Sequence, residues 1–392
     1  VRIDSIDILR ALTMVLMIFV NDLWSLKDIP GWLEHTEAAA DGMGLADTVF
    51  PAFLFITGMS IPLAVNYRRS KGDSTGKIIF HILLRSLALL VMGVFHVNGE
   101  SINEAATGMK RVVWNTICCT CFILIWNAWP AKMNKVLLNF IKVVSILVLI
   151  TLAWIYRGES HSDVPGRFAP HWWGILGLIG WAYLVSAIVY TLSANKFSVV
   201  ITAWIVFNFL CIASHAHWLS SVPFLRTILS PLGGGAMPAL VTGGVLASMI
   251  FLRFREKGEN YKMMGVLFVI SILLLAVGFY TRTFWGISKI RATPAWVLIC
   301  SAITILVFII VYWIADLKSK ASWFSIIKPA GTNTLLCYLM PYFAYAFVVL
   351  SHIALPAVLL TGGVGLFKSF LFAMLMVAIT GWLGKAGVRL KL

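Results

Sequence analysis

The chain has 392 residues, of which 60% are hydrophobic and 12% charged, with a mean hydropathy of +0.90. A soluble globular domain is about half apolar and about a quarter charged. This composition therefore excludes an ordinary soluble enzyme and points to a polytopic membrane protein with lipid as its solvent. The formal charge of +15 does not read as a nucleic-acid surface, because the Lys and Arg residues fall in short clusters between apolar runs, which is the pattern of membrane topology.

Runs able to cross about 30 Å of hydrocarbon lie near 8–24, 46–66, 78–97, 112–129, 137–156, 173–192, 197–214, 236–252, 263–281, 295–315, 331–351 and 364–384. The expected fold class is all-α, a polytopic transmembrane helical bundle of about 10–12 helices. No long linker interrupts it, so 1–392 is expected to be a single integral-membrane domain. The first run is not followed by a small-residue cleavage site and is read as a retained helix.

With the amino terminus inside, the inner loops hold Arg68-Arg69-Ser70-Lys71, Lys132 to Lys135, Arg253 to Lys262, Lys318 to Lys320 and Lys385 to Lys391. About 19 Lys and Arg then fall inside and about 9 outside, so both termini are expected in the cytoplasm. The segment from Leu23 to Leu45 lies outside and carries Asp28, Glu34, Glu37 and Asp41 against a single Lys27.

The six cysteines all sit in apolar segments and imply no disulfide framework. Cys118 and Cys121 have CxxC spacing, but no His or carboxylate neighbours them, and packing is the simpler reading. His215 and His217 have no Cys or carboxylate pair near them in the sequence, while His161 and His171 carry no signal. No metal site is expected.

Ionisable groups in or near a bilayer are expensive, and here they concentrate in the first three helices. Asp7 and Arg10 are three residues apart on one helical face, suited to a local ion pair. Asn21 ends the first run, His35 follows in the loop, and Asp47 opens the second run, so the three can converge at the outer rim. A carboxylate fixes the orientation of an imidazole, and an amide can donate to a developing oxyanion. His35 and Asp47 also have purely structural explanations: His35 as a solvated loop residue, Asp47 as a carboxylate on free helix amides. Arg85, four residues after His81 on the third run, needs a partner or an aqueous cavity, which an anionic ligand or a carboxylate such as Asp7 would supply.

The run from Ile6 to Ser60 resembles the heparan-alpha-glucosaminide N-acetyltransferase family. An R-x-x-S-x-D-x-x-R-G pattern is matched by Arg2, Ser5, Asp7 and Arg10, with Ala11 in place of the glycine. Val20-Asn21, His35 and a complete A-D-x-V-F-P-x-F-x-F-I-x-G block from Ala46 to Gly58 follow. Later similarities are Arg85-Ser86 with Gly93, Ile287-Ser288-Lys289, the helix end Tyr312-Trp313-Ile314-Ala315-Asp316, and Pro329-Ala330-Gly331-Thr332-Asn333. The stretch from about 130 to 230 matches poorly and is read as holding an added helix pair. Pro341 stands where the family has a late histidine, so that role is not carried over.

The resemblance implies acetyl transfer from cytoplasmic acetyl-CoA to the amine of an amino sugar or glycan on the outer face. His35 is then the base or acyl carrier, Asn21 the oxyanion donor and Asp47 an orienting group. Asp7, Arg10, Arg85 and Asn333 are the residues expected around the co-substrate. An inner-membrane location in a bacterium, a lipid environment, no nucleic-acid partner and a homodimer as one candidate assembly complete the expectation. The rival reading is a secondary transporter of a sugar or anionic solute, with Arg85 and the acidic groups as its binding site.

Overall fold

A computed structural model of the chain describes residues 3–130, 132–159, 166–219 and 223–392; Arg2 and His161 lie outside these. Among the described residues the fold is all-α with no strand, and twelve principal helices follow the apolar runs. They are α1 (Asp4–Asp22), α2 (Leu45–Ser70), α3 (Thr75–Glu100), α4 (Arg111–Trp126), α5 (Lys135–Ile155), α6 (Ile175–Leu192), α7 (Phe197–His215), α8 (Ala236–Glu256), α9 (Asn260–Trp285), α10 (Pro294–Tyr312), α11 (Thr334–Leu350) and α12 (Gly362–Lys385). Lipid offers no hydrogen bonds to an open backbone, so apolar runs of this length satisfy their amides internally as helices.

Nine helices among the described residues are long and apolar enough to cross a membrane, and α4 and α11 are shorter apolar helices. The chain is thus an integral membrane protein. The remaining principal helix, α1, carries Asp4, Asp7, Arg10 and Asp22. Its charges are tolerated because it is central, packed against α2, α10, α11, α12 and the short helix Lys328–Thr332. By contrast α5, α7 and α9 present most of their apolar side chains outward.

Close helix crossings are made at small residues, as expected where lipid removes the hydrophobic drive to associate. Gly58, the last residue of the A-D-x-V-F-P block, lies on the backbone of Val241 in α8, and Gly244 lies reciprocally on Phe55; a Cβ at either would overlap a carbonyl oxygen. Gly93 in α3 meets Gly177 in α6 in the same manner, where an added Cβ would come 2.5 Å from the Gly177 amide. The poorly matching middle of the chain therefore contributes a core helix, α6, as well as the peripheral α7.

Two expected runs differ in detail. The helix anticipated over 331–351 is broken at Asn333 (φ −130°, ψ 48°) into Lys328–Thr332 and α11. Asn333 instead holds the carboxy-terminal segment: its Nδ2 donates to Val388 O at 3.0 Å and its Oδ1 accepts from Leu390 N at 3.3 Å. The run over 112–129 ends at Trp126, because Asn127 and Ala128 pair with Arg389 through bonds of 2.8 Å each.

Candidate active site and transmembrane cavities

Asp47 stands in the first turn of α2, where its Oδ2 accepts from the amides of Gly44 (3.1 Å) and Thr36 (2.9 Å). Its Oδ1 faces His35 Nδ1 at 2.7 Å. The carboxylate is buried while His35 is 46% exposed, so a fixed anion holds a partly accessible ring. Pro51, four residues after Asp47, has no N–H to return to the Asp47 carbonyl. That carbonyl accepts instead from Trp296 Nε1 of α10 at 3.0 Å. Carboxylate and proline of the block together thus splice the His35 loop and α10 onto one turn of helix.

Lys289 joins this pair, with Nζ 3.3 Å from His35 Nδ1. An Nδ1 that donates to Asp47 cannot also accept from an ammonium, so Lys289 acts there as a positive charge beside the pair. Burial holds the Lys289 ammonium below the usual lysine range, against the pull of Asp47. The segments that carry His35 and Lys289 are tied by Asp41, whose Oδ1 accepts from Ile287 N at 2.7 Å and whose Oδ2 accepts from Arg282 Nε at 2.9 Å. These bonds hold the Asp41 carboxyl below the usual carboxylate range, the Ile287 amide contributing most.

At the opposite ends of α1 to α3, a cavity of about 920 Å³ collects all four residues expected around a co-substrate: Asp7, Arg10, Arg85 and Asn333. Their surroundings differ. Arg10 donates to Asp7 Oδ1 (3.1 Å), Gly331 O (3.1 Å) and Ser60 Oγ (2.6 Å), which makes it a structural tie between three elements. Asn333 has its amide engaged by the chain's own carboxy-terminal segment. Arg85 packs its guanidinium 4.8 Å from the centre of the Tyr183 ring, and its buried Nε has no hydrogen-bond partner. Asp7 pairs with Arg10 at 3.1 Å.

A second cavity of about 290 Å³ lies toward the far ends of the same helices and is lined by Asn21, His96, Glu100, Arg111, Pro341 and Tyr345, among others. It shares Met17, Ile175, Leu176 and Tyr338 with the larger one, so the two meet end to end through the bundle. Asn21 thus belongs to this passage, whereas His35 and Asp47 line neither cavity and make no hydrogen bond to Asn21.

Two arrangements had no counterpart in the sequence reading. Lys289 was seen only as part of a three-residue similarity, yet it reaches His35 across 254 positions. Asp22, buried at the end of α1, accepts from Lys368 Nζ (2.7 Å), Ser369 Oγ (2.6 Å) and Tyr345 OH (3.0 Å). A lysine inside an apolar run demands such a partner, and that demand was the available signal.

Comparison with known proteins gives partial matches. Over 101 residues, a quarter of the chain, the sequence is 36% identical to heparan-alpha-glucosaminide N-acetyltransferase of Mus musculus and 34% identical to that of Homo sapiens. The matched stretch spans only 14% of the length of each of these relatives. Residues 2–224, more than half of the chain, match the family described as "Domain of unknown function (DUF5009)". The chain belongs to that DUF5009 family.

Proposed function

We propose that the protein is a transmembrane acyltransferase, taking an acetyl group from acetyl-CoA on the cytoplasmic side and passing it to the amine of a glucosamine-type sugar on the outer side of a bacterial inner membrane. The observation that carries this reading is the meeting of a wide, cation-lined cavity with a narrow polar one, end to end through the bundle. A charged nucleotide handle and a remote reacting group need that division of space. The likeness to the two N-acetyltransferases supports the choice of reaction, and the basic inner loops support the orientation, with both chain ends cytoplasmic.

In this reading Arg85, whose Nε lacks a partner, meets a phosphate of CoA, and Arg10, Asp7 and Asn333 shape the surrounding wall. The thioester arrives near Asn21. The amine nitrogen attacks the thioester carbonyl carbon and the Asn21 amide donates to the developing oxyanion, while His35 Nε2, outside the cavity that Asn21 lines, receives the amine proton through an intervening water with its Nδ1 fixed by Asp47. The C–S bond then breaks, and the departing thiolate recovers a proton. The products are an N-acetylated sugar and CoA.

The test is purified protein supplied with acetyl-CoA, with and without glucosamine. Glucosamine-dependent release of free thiol together with N-acetylglucosamine is the expected result. Intact acetyl-CoA, alongside movement of labelled sugar or anion across vesicles, would replace the proposal with secondary transport.

A further inference from the structure

His96 on α3 is buried, with 5% of its surface exposed, and neither of its ring nitrogens has a hydrogen-bond partner. The ring stacks on Tyr342 at 4.5 Å with planes 22° apart, and Phe122 approaches it edge-on at 5.6 Å. Buried polar groups are ordinarily satisfied, and an orphan calls for a reason. Local geometry is not that reason. Two residues further along the same helix, Asn98 donates to Val94 O and Ala169 O, both at 2.8 Å, and accepts from Ala169 N at 3.3 Å. The helix can satisfy a buried polar side chain and does so beside His96.

What separates His96 is the 290 Å³ cavity that it lines with Asn21, Glu100 and Arg111. We propose that this cavity is a binding chamber for a single amine- or hydroxyl-bearing sugar ring, and that His96 is the buried side chain that hydrogen-bonds it. A neutral imidazole presents one N–H and one lone pair, complementary to a hydroxyl or amine that both donates and accepts. Glu100 matches an ammonium, and the Asn21 amide supplies a further donor and acceptor. Tyr342 and Tyr345 give the apolar face of a ring something to lie against. The volume is at the low end for small-molecule sites, room for one ring and not for a chain of them.

The choice of an amino sugar as probe rests on the proposed acyl transfer, but binding is measured without any acyl donor. Equilibrium binding of glucosamine to the purified full chain is compared between wild type, His96→Phe, which keeps the ring stack, and His96→Gln, which keeps a donor and an acceptor. His96→Phe is expected to weaken glucosamine by about tenfold or more, the worth of a hydrogen bond lost in a dry site. His96→Gln is expected to stay within about threefold of wild type, because an amide offers the same two functions. CoA affinity is expected to be unchanged in both, and His96→Phe to unfold no earlier than wild type, since it removes an unsatisfied polar group.

Equal glucosamine affinity in wild type and His96→Phe would overturn the chamber, as would a folded wild type that binds no glucosamine. Acetyl transfer with an unaltered glucosamine KM in His96→Phe would overturn it while leaving the transferase standing. His96-dependent binding without any consumption of acetyl-CoA would do the reverse.

Discussion

His35 Nδ1 lies 2.7 Å from Asp47 Oδ1, and the other oxygen of that carboxylate is held by two backbone amides. The anion thus has three donors around it and cannot swing away from the ring, whereas His35 remains partly exposed. Removal of His35 is expected to cut acetyl transfer by roughly 10² to 10⁴, the range for a general acid or base, with CoA binding and thermal stability near wild type. Asp47→Asn is expected to lower both turnover and stability, since an amide with its oxygen on the Thr36 and Gly44 amides turns N–H groups toward the His35 Nδ1–H. Turnover and thermal unfolding of the same purified variants check this. Near-normal transfer by folded His35→Ala would end the histidine mechanism.

The loop that carries His35 is pinned to the segment that carries Lys289 by Asp41, through Ile287 N and Arg282. The folded-state pKa of Asp41 is depressed. Its contribution to stability is therefore present above the unfolded value of about 3.9 and is lost as pH falls through the lower, folded value. Hydrogen exchange in residues 30–43 is expected to stay slow in wild type down to that acidic window, and to be fast already at neutral pH in Asp41→Asn. Identical exchange in the two proteins at neutral pH would show that the pin does not order the loop.

The helices were legible because a bilayer imposes length and apolarity on each crossing, and a run such as 263–281 carries that demand locally. Asp7 and Arg10 were legible as a pair for a similar reason, since three residues along a helix bring them to one face. Contacts between distant segments left no such trace. Trp296 reaches the Asp47 carbonyl across 249 positions, and nothing near 296 announces it; only Pro51 hints that the carbonyl needs a donor. The break at Asn333 was hidden because a run of apolar residues continues across it, and the cause is the return of residues 388–390. Asn21 lies in the last turn of α1, but which neighbour its side chain faces depends on how α3 and α11 pack around that end.

Asp22 and Lys368 form an ion pair at 2.7 Å with side-chain exposures of only 6% and 20%. Breaking such a pair from one side strands a charge, which costs about 3–5 kcal/mol, whereas replacing both partners with apolar groups is often neutral. Asp22→Leu alone is thus expected to unfold at a much lower temperature than wild type, and adding Lys368→Met to recover most of the loss. Thermal unfolding of the four proteins of this cycle gives the coupling. Additive losses would mean that Ser369 and Tyr345, not the lysine, are what the buried carboxylate requires.

Arg85 and Arg10 line the same cavity but are predicted to fail differently. Arg10 is spent on Asp7, Gly331 and Ser60, so Arg10→Met is expected to reduce stability through the loss of the tie between α1, α2 and the Lys328–Thr332 helix. Arg85 has an unpartnered Nε and an aromatic neighbour, so Arg85→Leu is expected to leave folding intact and weaken CoA by roughly 10- to 150-fold, the range for a hydrogen bond to a charged group. The loss should shrink as salt rises, because the wild-type attraction is screened. Pantetheine, which lacks the whole 3′-phosphoadenosine diphosphate of CoA, tests whether Arg85 acts on that nucleotide handle: its affinity is expected to be the same in Arg85→Leu and wild type. A parallel loss of pantetheine would assign Arg85 to the shape of the cavity. Unchanged CoA binding in folded Arg85→Leu would remove the phosphate from this end of the passage altogether.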